Sequence, residues 1–151
     1  MYSYKPSESH DGSHFFVKTP HGGVVRISLF KPSEDYVSEY LEDKIRHLII
    51  YNYTDSKLSF QEGRKICETI AHLVYEFIAY NDCVVKIEVE HNSGKNHRVR
   101  DFLINRPNKV KGFVKENLES HDLYFIFNID TIESTDLLYN LIEEYQTKED
   151  E

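Results

Sequence analysis

The sequence predicts an α+β fold: an antiparallel β-meander followed by helix, strand, helix, strand and helix, with helices covering a mixed sheet. Strand-like segments fill the first third, one strongly amphipathic stretch follows them, and a wholly apolar strand precedes a last helical stretch. The chain has 151 residues, of which 40% are hydrophobic. That length suits one domain with a core of its own.

The β-meander is predicted from two alternating segments and the turn between them. Residues 14–19 and 24–30 have strand character, and Pro20-His21-Gly22-Gly23 is typical of a tight hairpin turn. A weakly helical, charged stretch at 35–44 precedes a third β-rich segment at 45–53. The first third is therefore expected to be a meander.

A long amphipathic helix is the clearest predicted element. Its first turn carries Ser59-Phe-Gln-Glu62, which fits a capping box, and its last residue is expected near Asn81. The apolar residues recur every three or four positions, at Ile66, Ile70, Leu73, Val74, Phe77 and Ile78. One face of this helix should therefore be buried.

The second half alternates strands with shorter helices. The predicted elements are a strand at 84–90, a short helix at 96–105 stopped by Pro107, a second helix at 110–118, a central strand at 123–129 and a closing helix from Ser134. The polar first 13 residues are expected to begin as a possible short strand and to become a flexible loop. The domain is then expected at 14–146, followed by an acidic tail at 147–151.

Composition narrows the function classes. The formal charge is −8, which disfavours nucleic acid and anionic membranes as partners. About 18 consecutive apolar residues occur nowhere in the chain, so we expect a cytoplasmic protein without a membrane span. Cys67 and Cys83 form no C-x-x-C pair and are expected to be reduced.

The element order from Phe15 to Ile129 resembles the GNAT acetyltransferase fold. In that family the pyrophosphate of acetyl-CoA lies on the N-terminus of the long helix, held by backbone N–H groups of a Gly-rich turn. The resemblance implies that Gly63, Arg64 and Lys65 would hold the cofactor here. It also implies N-acyl transfer as the activity.

Two features depart from the family pattern. The capping box would already occupy helix donors and would place the Glu62 carboxylate where the phosphate should bind. The family's general acid is a Tyr in the pattern N-x-x-A-x-x-x-Y. Aligned at Asn96, this chain has Val99 and Leu103, and leucine cannot donate a proton. The balance therefore favours a protein that is not an enzyme.

A second resemblance is to a small family of uncharacterised proteins from Bacteroidetes-type bacteria. It rests on the aromatic opening hairpin, the amphipathic middle helix, and a Gly-Lys turn followed by a basic helix at 93–102. It implies a fold expectation and no mechanism.

Positive charge is concentrated in the segment from Lys95 to Lys115. Seven basic residues and a single acid, Asp101, give this segment a charge of +6, which leaves −14 for the rest of the chain. It is a candidate for binding phosphate, a nucleotide or an acidic partner. The alternative is that these cations pair with the protein's own acids or solvate a helix face. The candidate ligand-binding residues are Lys95, His97, Arg98, Arg100, Arg106, Lys109 and Lys111.

Other residue clusters are less specific. His10 and His14 lie around a Gly-Ser loop without a completing ligand set, so no metal site is predicted. The tyrosines at positions 36, 40, 51 and 53 could form a protein interface, including that of a homodimer. The favoured alternative is that these rings cover one face of the sheet.

Three functions are consistent with these patterns. The leading hypothesis is a non-catalytic binding or regulatory module without a cofactor, contacting a small anionic ligand or a protein through the basic segment. The second is an atypical CoA-dependent N-acyltransferase, with acetyl-CoA as cofactor. The third is an acidic inhibitor of immunity or antitoxin type that neutralises a basic partner.

Overall fold

The computed structural model describes residues 1–31, 44–53, 58–81, 83–105, 112–130, 139–140 and 142–143. Within these ranges the strands are β1 (Tyr4–Ser9), β2 (Gly12–Lys18), β3 (Val24–Phe30), β4 (Ile45–Asn52), β5 (Val84–Glu90), β6 (Gly112–Asn117) and β7 (His121–Phe127). The helices are α1 (Phe60–Asn81) and α2 (His97–Ile104).

The strands form one mixed sheet in the order β1-β2-β3-β4-β5-β7-β6. Only the central pair, β4 and β5, is parallel among these seven strands. This parallel pair is joined by α1, as a parallel connection requires a crossover. The predicted α+β architecture with a mixed sheet is confirmed.

The opening hairpin is confirmed. β2 and β3 pair antiparallel along their length, and the Thr19 N–H donates to the Gly23 carbonyl at 2.8 Å. Gly22 has a φ of +85°, which glycine adopts without a Cβ clash. The predicted helical stretch at 35–44 lies, except for Lys44, outside the described residues.

The possible short strand predicted at the start of the first 13 residues is present, whereas the flexibility of the segment stays a prediction. Residues 4–9 form β1, which pairs antiparallel with β2 from Tyr4 to Ser9. β1 is an edge strand, so its Ser, Lys and Glu side chains can face solvent and Pro6 is tolerated. The polar composition that indicated a loop is equally suited to a sheet edge. The domain limits of 14–146 and 147–151 stay a prediction.

The main core lies between α1 and the sheet. The buried side chains of α1 include Ile66, Ile70, Leu73, Val74 and Ile78, in agreement with the predicted stripe. They pack against inward-facing strand residues, namely Val17, Val25, Ile27, Leu29, Val85, Ile87 and Val89. A smaller cluster covers part of the opposite face with Phe125, Phe127 and Ile142.

One helix was wrongly predicted in the second half. Residues 112–117 form the strand β6, which pairs antiparallel with β7, instead of continuing a helix over 110–118. Burial alternates along β6 residue by residue, a period-2 pattern. The sequence alone did not reveal this alternation. It follows from the pairing of β6 with β7.

The other predicted elements agree with the structure. β7 is buried on both faces from Asp122 to Phe127, as an apolar strand should be, although it begins two residues early. α2 lies within the predicted 96–105 range. Of the closing helix, only positions 139–140 and 142–143 are described, and they are helical, with Ile142 buried. Cys67 and Cys83 are buried free thiols.

Candidate functional site

The two parallel strands at the centre of the sheet are paired over only part of their length. Their ladder consists of Ile45 with Val84, Arg46 with Val85, and His47 with Lys86. Beyond this last rung, β4 continues to Asn52 and stays paired with β3, while β5 continues to Glu90 and stays paired with β7. The two strands are therefore not paired with each other beyond this rung, and we call the region between their carboxyl ends the wedge.

The chain passes from the carboxyl end of β4 to the N-terminus of α1, which is capped as predicted. The Ser59 Oγ accepts a hydrogen bond from the Glu62 N–H at 3.2 Å and donates to the Glu62 carboxylate at 3.1 Å. The Gly63 N–H donates to the Ser59 carbonyl at 2.9 Å, which is the first helical bond. One orphan donor of the first turn is thus already satisfied.

Arg98, in the first turn of α2, reaches the first turn of α1. Its Nη1 lies 3.1 Å from where a Cβ on Gly63 would be, so the missing side chain leaves room for the guanidinium. The Arg98 Cζ also lies 5.0 Å from the centre of the exposed Phe60 ring, within cation–π range. Arg98 forms no ion pair with any residue that the structure describes.

Two further cations follow Gly63 on α1. Arg64 Nε is 3.8 Å from the Glu68 carboxylate one turn later, and Lys65 Nζ is 5.8 Å from the centre of the Tyr2 ring. With Arg64 paired to Glu68, Lys65 and Arg98 still outnumber the single carboxylate of the first turn, Glu62. The positive end of the helix dipole adds to this excess.

The thiol of Cys67 lies behind this group. Burial raises the pKa of Cys67, and the positive charge of Arg98 partly opposes that rise. A buried thiol with a raised pKa stays protonated at neutral pH, so Cys67 is not an activated nucleophile.

The rest of the predicted basic segment does not form one surface with Arg98. Lys95 Nζ lies 3.6 Å from the Glu90 carboxylate, and the His97 Nε2 lies 2.7 Å from the Glu90 carbonyl oxygen. Since a carbonyl only accepts, this nitrogen of His97 carries the proton. Both residues thus brace the turn after β5.

Arg100 and Lys115 are engaged elsewhere. Arg100 binds the Asp101 carboxylate at 2.8 Å and lies 5.7 Å from the Tyr124 ring centre. Lys115 Nζ is 3.2 Å from Asp122. The remaining candidates, Arg106, Lys109 and Lys111, lie outside the described residues. The described cations beyond Arg98 therefore match the alternative in which they pair with the protein's own acids.

The position aligned with the family's general acid is apolar and buried. Leu103 is 0% exposed and Val99 is buried beside it on α2. The hydroxyl of Tyr75 donates toward the carbonyl oxygens of Phe102 and Leu103, at 3.1 and 2.8 Å, and holds the end of α2 against α1. A leucine in this position offers no proton to a leaving group.

His47, which sequence analysis did not single out, lies on the last rung between β4 and β5. Burial lowers its pKa to about 4, assisted by the positive charges of Lys86 and Lys95. Its imidazole is therefore neutral at pH 7. Finding it required the pairing of His47 with Lys86, which are far apart in sequence.

No cluster of three or more potential metal ligands occurs among the described residues. In the same ranges, no helix is both long and apolar enough to cross a bilayer.

The comparisons with known proteins bear on the fold. No family model and no curated protein sequence matches the chain. A structure of AAC(6')-Ib in complex with ribostamycin and coenzyme A is similar over 83% of this chain and 68% of its own, with 13% identity and a TM-score of 0.50. A second, with paromomycin and acetyl-CoA, covers 83% of this chain and 69% of its own, with 14% identity and a TM-score of 0.49.

The first of these likenesses, at 13% identity, concerns the fold alone. It confirms the GNAT-like architecture expected from element order, with the mixed seven-stranded sheet seen here. The resemblance to a Bacteroidetes-type family stays a prediction.

Proposed function

We propose that this chain is a binding module of GNAT-like fold that takes a phosphate-bearing ligand of the coenzyme A type at the first turn of α1. The observation that carries the proposal is the guanidinium of Arg98 beside Gly63, at the N-terminus of α1. It joins residues of the two predicted sites, the basic segment and the cofactor turn, in one place.

The local chemistry suits a phosphate. An arginine can bind phosphate through two parallel N–H groups, which a single lysine cannot do. The backbone N–H groups of Phe60 and Gln61 precede the first helical bond and point out of the helix end. Glu62 opposes an anion, but its carboxylate is bonded to Ser59, and Lys65 and Arg98 outnumber it even with Arg64 paired to Glu68.

The wedge between β4 and β5 supports a ligand that extends away from its phosphate. The strands stop pairing at His47 and Lys86, and the chain between β4 and α1 leads from this wedge to the helix end. A ligand with a phosphate on α1 could therefore lie with its chain between the strands. This arrangement favours coenzyme A over a compact anion.

The residues near the wedge are better suited to binding a ligand than to catalysing acyl transfer. A bound acyl-CoA would supply an activated acyl thioester. Leu103 cannot protonate the thiolate that leaves such a thioester, so the general acid of the family pattern is missing from its place. That substitution favours the binding module.

An atypical CoA-dependent N-acyltransferase is the second candidate, and His47 favours it. A neutral imidazole at the last β4–β5 rung can accept a proton from an amine substrate, although a pKa of about 4 makes it a weak base. Catalysis would then depend on the positioning of the amine and thioester by the wedge.

Titration calorimetry with coenzyme A tests the binding proposal. We expect saturable binding by the full chain, weakened about 10- to 100-fold in Arg98→Ala, because a hydrogen bond to a charged group is worth about 1.5–3 kcal/mol. Lys95→Ala is the matched control, since Lys95 lies just before α2, three residues from Arg98, but pairs with Glu90. No binding by the wild type at millimolar coenzyme A, or equal loss in both variants, would disprove the proposal.

A thiol-release assay separates the two candidates. The chain is incubated with acetyl-CoA and a panel of primary amines, and free coenzyme A is measured. The binding module predicts release no faster than in buffer. Amine-dependent release that His47→Ala abolishes, with coenzyme A affinity retained, would favour the acyltransferase instead.

A further inference from the structure

A second feature lies on the sheet face opposite α1, over β1 to β4. The core residues Val17 and Val25 face α1, so the residues that alternate with them face the other way. The register places Phe16 beside Arg26 and Arg26 beside Tyr51, in one row across three strands. We call this surface the aromatic face; it consists of Lys5, Phe16, Lys18, Arg26, Tyr51 and Tyr53.

Two rings of the aromatic face are open to solvent, and a third, Tyr51, is half-buried. Phe16 is 41% exposed and Tyr53 is 53% exposed. The Arg26 Cζ lies 4.1 Å from the centre of the Tyr51 ring and 5.9 Å from that of Tyr53. The two tyrosine rings are nearly parallel, at 8°, with centres 6.3 Å apart. Because Arg26 covers one face of the half-buried Tyr51 ring, the exposed rings of Phe16 and Tyr53 are the ones available for stacking.

A cavity borders this surface at the sheet edge. Its volume is about 430 Å³, and Lys5, Phe16 and Lys18 are among its lining residues, with Ser3 and Tyr4. It brings two lysines to either side of the exposed Phe16 ring, since Lys5 pairs with Phe16 and Lys18 follows it by two residues on β2. Cations therefore flank an aromatic platform.

The charged side chains of this face are positive, whereas the net charge of the chain is negative. Among the described residues of β1 to β4, no Asp or Glu points to this side of the sheet. In the β1–β2 turn, the Asp11 carboxylate is hydrogen-bonded to Ser9 and lies 3.1 Å from the His14 Nε2. The described strand residues of this face therefore contribute positive charge, although the chain as a whole carries −8.

We infer that the aromatic face binds single-stranded nucleic acid. Stacking of bases on exposed rings, with cations along the phosphate backbone, is how strands are bound without sequence readout. Phe16 on β2 and Tyr53, directly after β4, lie two strand spacings apart across the sheet, about 10 Å, so each exposed ring can stack on a different nucleotide. Lys5, Lys18 and Arg26 supply the phosphate contacts. The face lies opposite α1 and does not depend on coenzyme A binding.

Fluorescence anisotropy with a labelled oligothymidylate of about 12 nucleotides tests the inference. At about 50 mM salt we expect binding that weakens as salt rises. Phe16→Ala and Tyr53→Ala should each weaken it about 5- to 100-fold. Tyr80→Ala is the matched control, because Tyr80 is 85% exposed but lies on α1. Lys18→Ala should lower the salt slope by about 0.7.

Three outcomes would overturn the inference. The first is no binding up to about 100 µM protein. The second is equal binding of a duplex of the same length, which hides its bases. The third is equal loss in Tyr80→Ala, or none in Phe16→Ala, in variants whose melting temperatures match the wild type.

Discussion

The close approach of Arg98 to α1 depends on the lack of a side chain at Gly63. Arg98 Nη1 occupies space that a Cβ on residue 63 would approach to 3.1 Å. Gly63 has ordinary helical backbone angles, so a residue with a side chain could adopt them. What the glycine provides is room for the Arg98 guanidinium. A small change at this residue should therefore separate the stability of α1 from the placement of the guanidinium.

Replacing Gly63 with Ala should move Arg98 without unfolding the helix. Alanine is favoured over glycine inside a helix by about 1 kcal/mol, and the crowded neighbour is the end of a flexible side chain. We expect an unfolding free energy equal to or up to about 1 kcal/mol above wild type, with weaker coenzyme A binding by calorimetry. Gln61→Ala, in the same turn, is the control. Loss of stability without loss of affinity would contradict this explanation.

His47 should make stability depend on pH. Its pKa is about 4 in the folded chain against about 6.5 when unfolded, so the unfolded chain binds the proton more tightly. The resulting stability is complete above pH 6.5 and is lost as pH falls toward 4. Urea denaturation should show about 2 kcal/mol less stability from this residue at pH 5 than at pH 7.5.

The control for this pH dependence is a second histidine substitution. His47→Gln removes the titrating group and should flatten the profile between pH 7.5 and 5. His21→Gln, at an exposed turn position, should leave the profile as it is in the wild type. Identical profiles for both variants would show that His47 is not the source.

At the scale of elements, the placement of Arg98 depends on how α2 is held against α1. The Tyr75 hydroxyl reaches the carbonyl oxygens of Phe102 and Leu103, the last turn of α2. Buried Val99 and Leu103 add apolar contact on the same side. These contacts at the last turn of α2 fix the direction of the helix axis. The direction of the axis in turn sets where Arg98, in the first turn, lies relative to α1.

Tyr75→Phe should loosen this attachment. It removes the hydroxyl and leaves the ring, so we expect a loss of about 0.5–1.5 kcal/mol in unfolding free energy. Tyr80→Phe removes a hydroxyl from a side chain that is 85% exposed and should cost nothing measurable. Urea denaturation of the two variants compares them directly. Equal stability of Tyr75→Phe and wild type would mean that water replaces the contact at no cost.

Elements were predictable where local pattern and tertiary environment agree. α1 combines a cap at Ser59 with a continuous apolar stripe, so its range was predicted within a residue. β6 was predicted as a helix, and β1 only as a possible short strand, because edge strands expose polar side chains and are recognised mainly by their pairing with β7 and β2. Sequence patterns indicate burial well and pairing poorly.

At the scale of the whole molecule, net charge alone is a poor guide to function. The segment from Lys95 to Lys115 carries an excess of positive charge, yet Lys95, Arg100 and Lys115 pair with nearby acids. Arg98 was among the predicted residues, but its meeting with Gly63 was not predictable. It depends on the crossing of α1 and α2, which no local pattern encodes. Inhibition of a basic partner by the acidic surface stays a prediction.

The position of the ligand on α1 can be tested residue by residue. A ¹H–¹⁵N NMR titration of the labelled chain with coenzyme A reports the backbone amide of Gly63 and the side-chain Nε of Arg98 together. If the phosphate binds at the first turn of α1, these two signals should shift most and should saturate together. Saturating shifts confined to other elements, or none at millimolar coenzyme A, would contradict that placement.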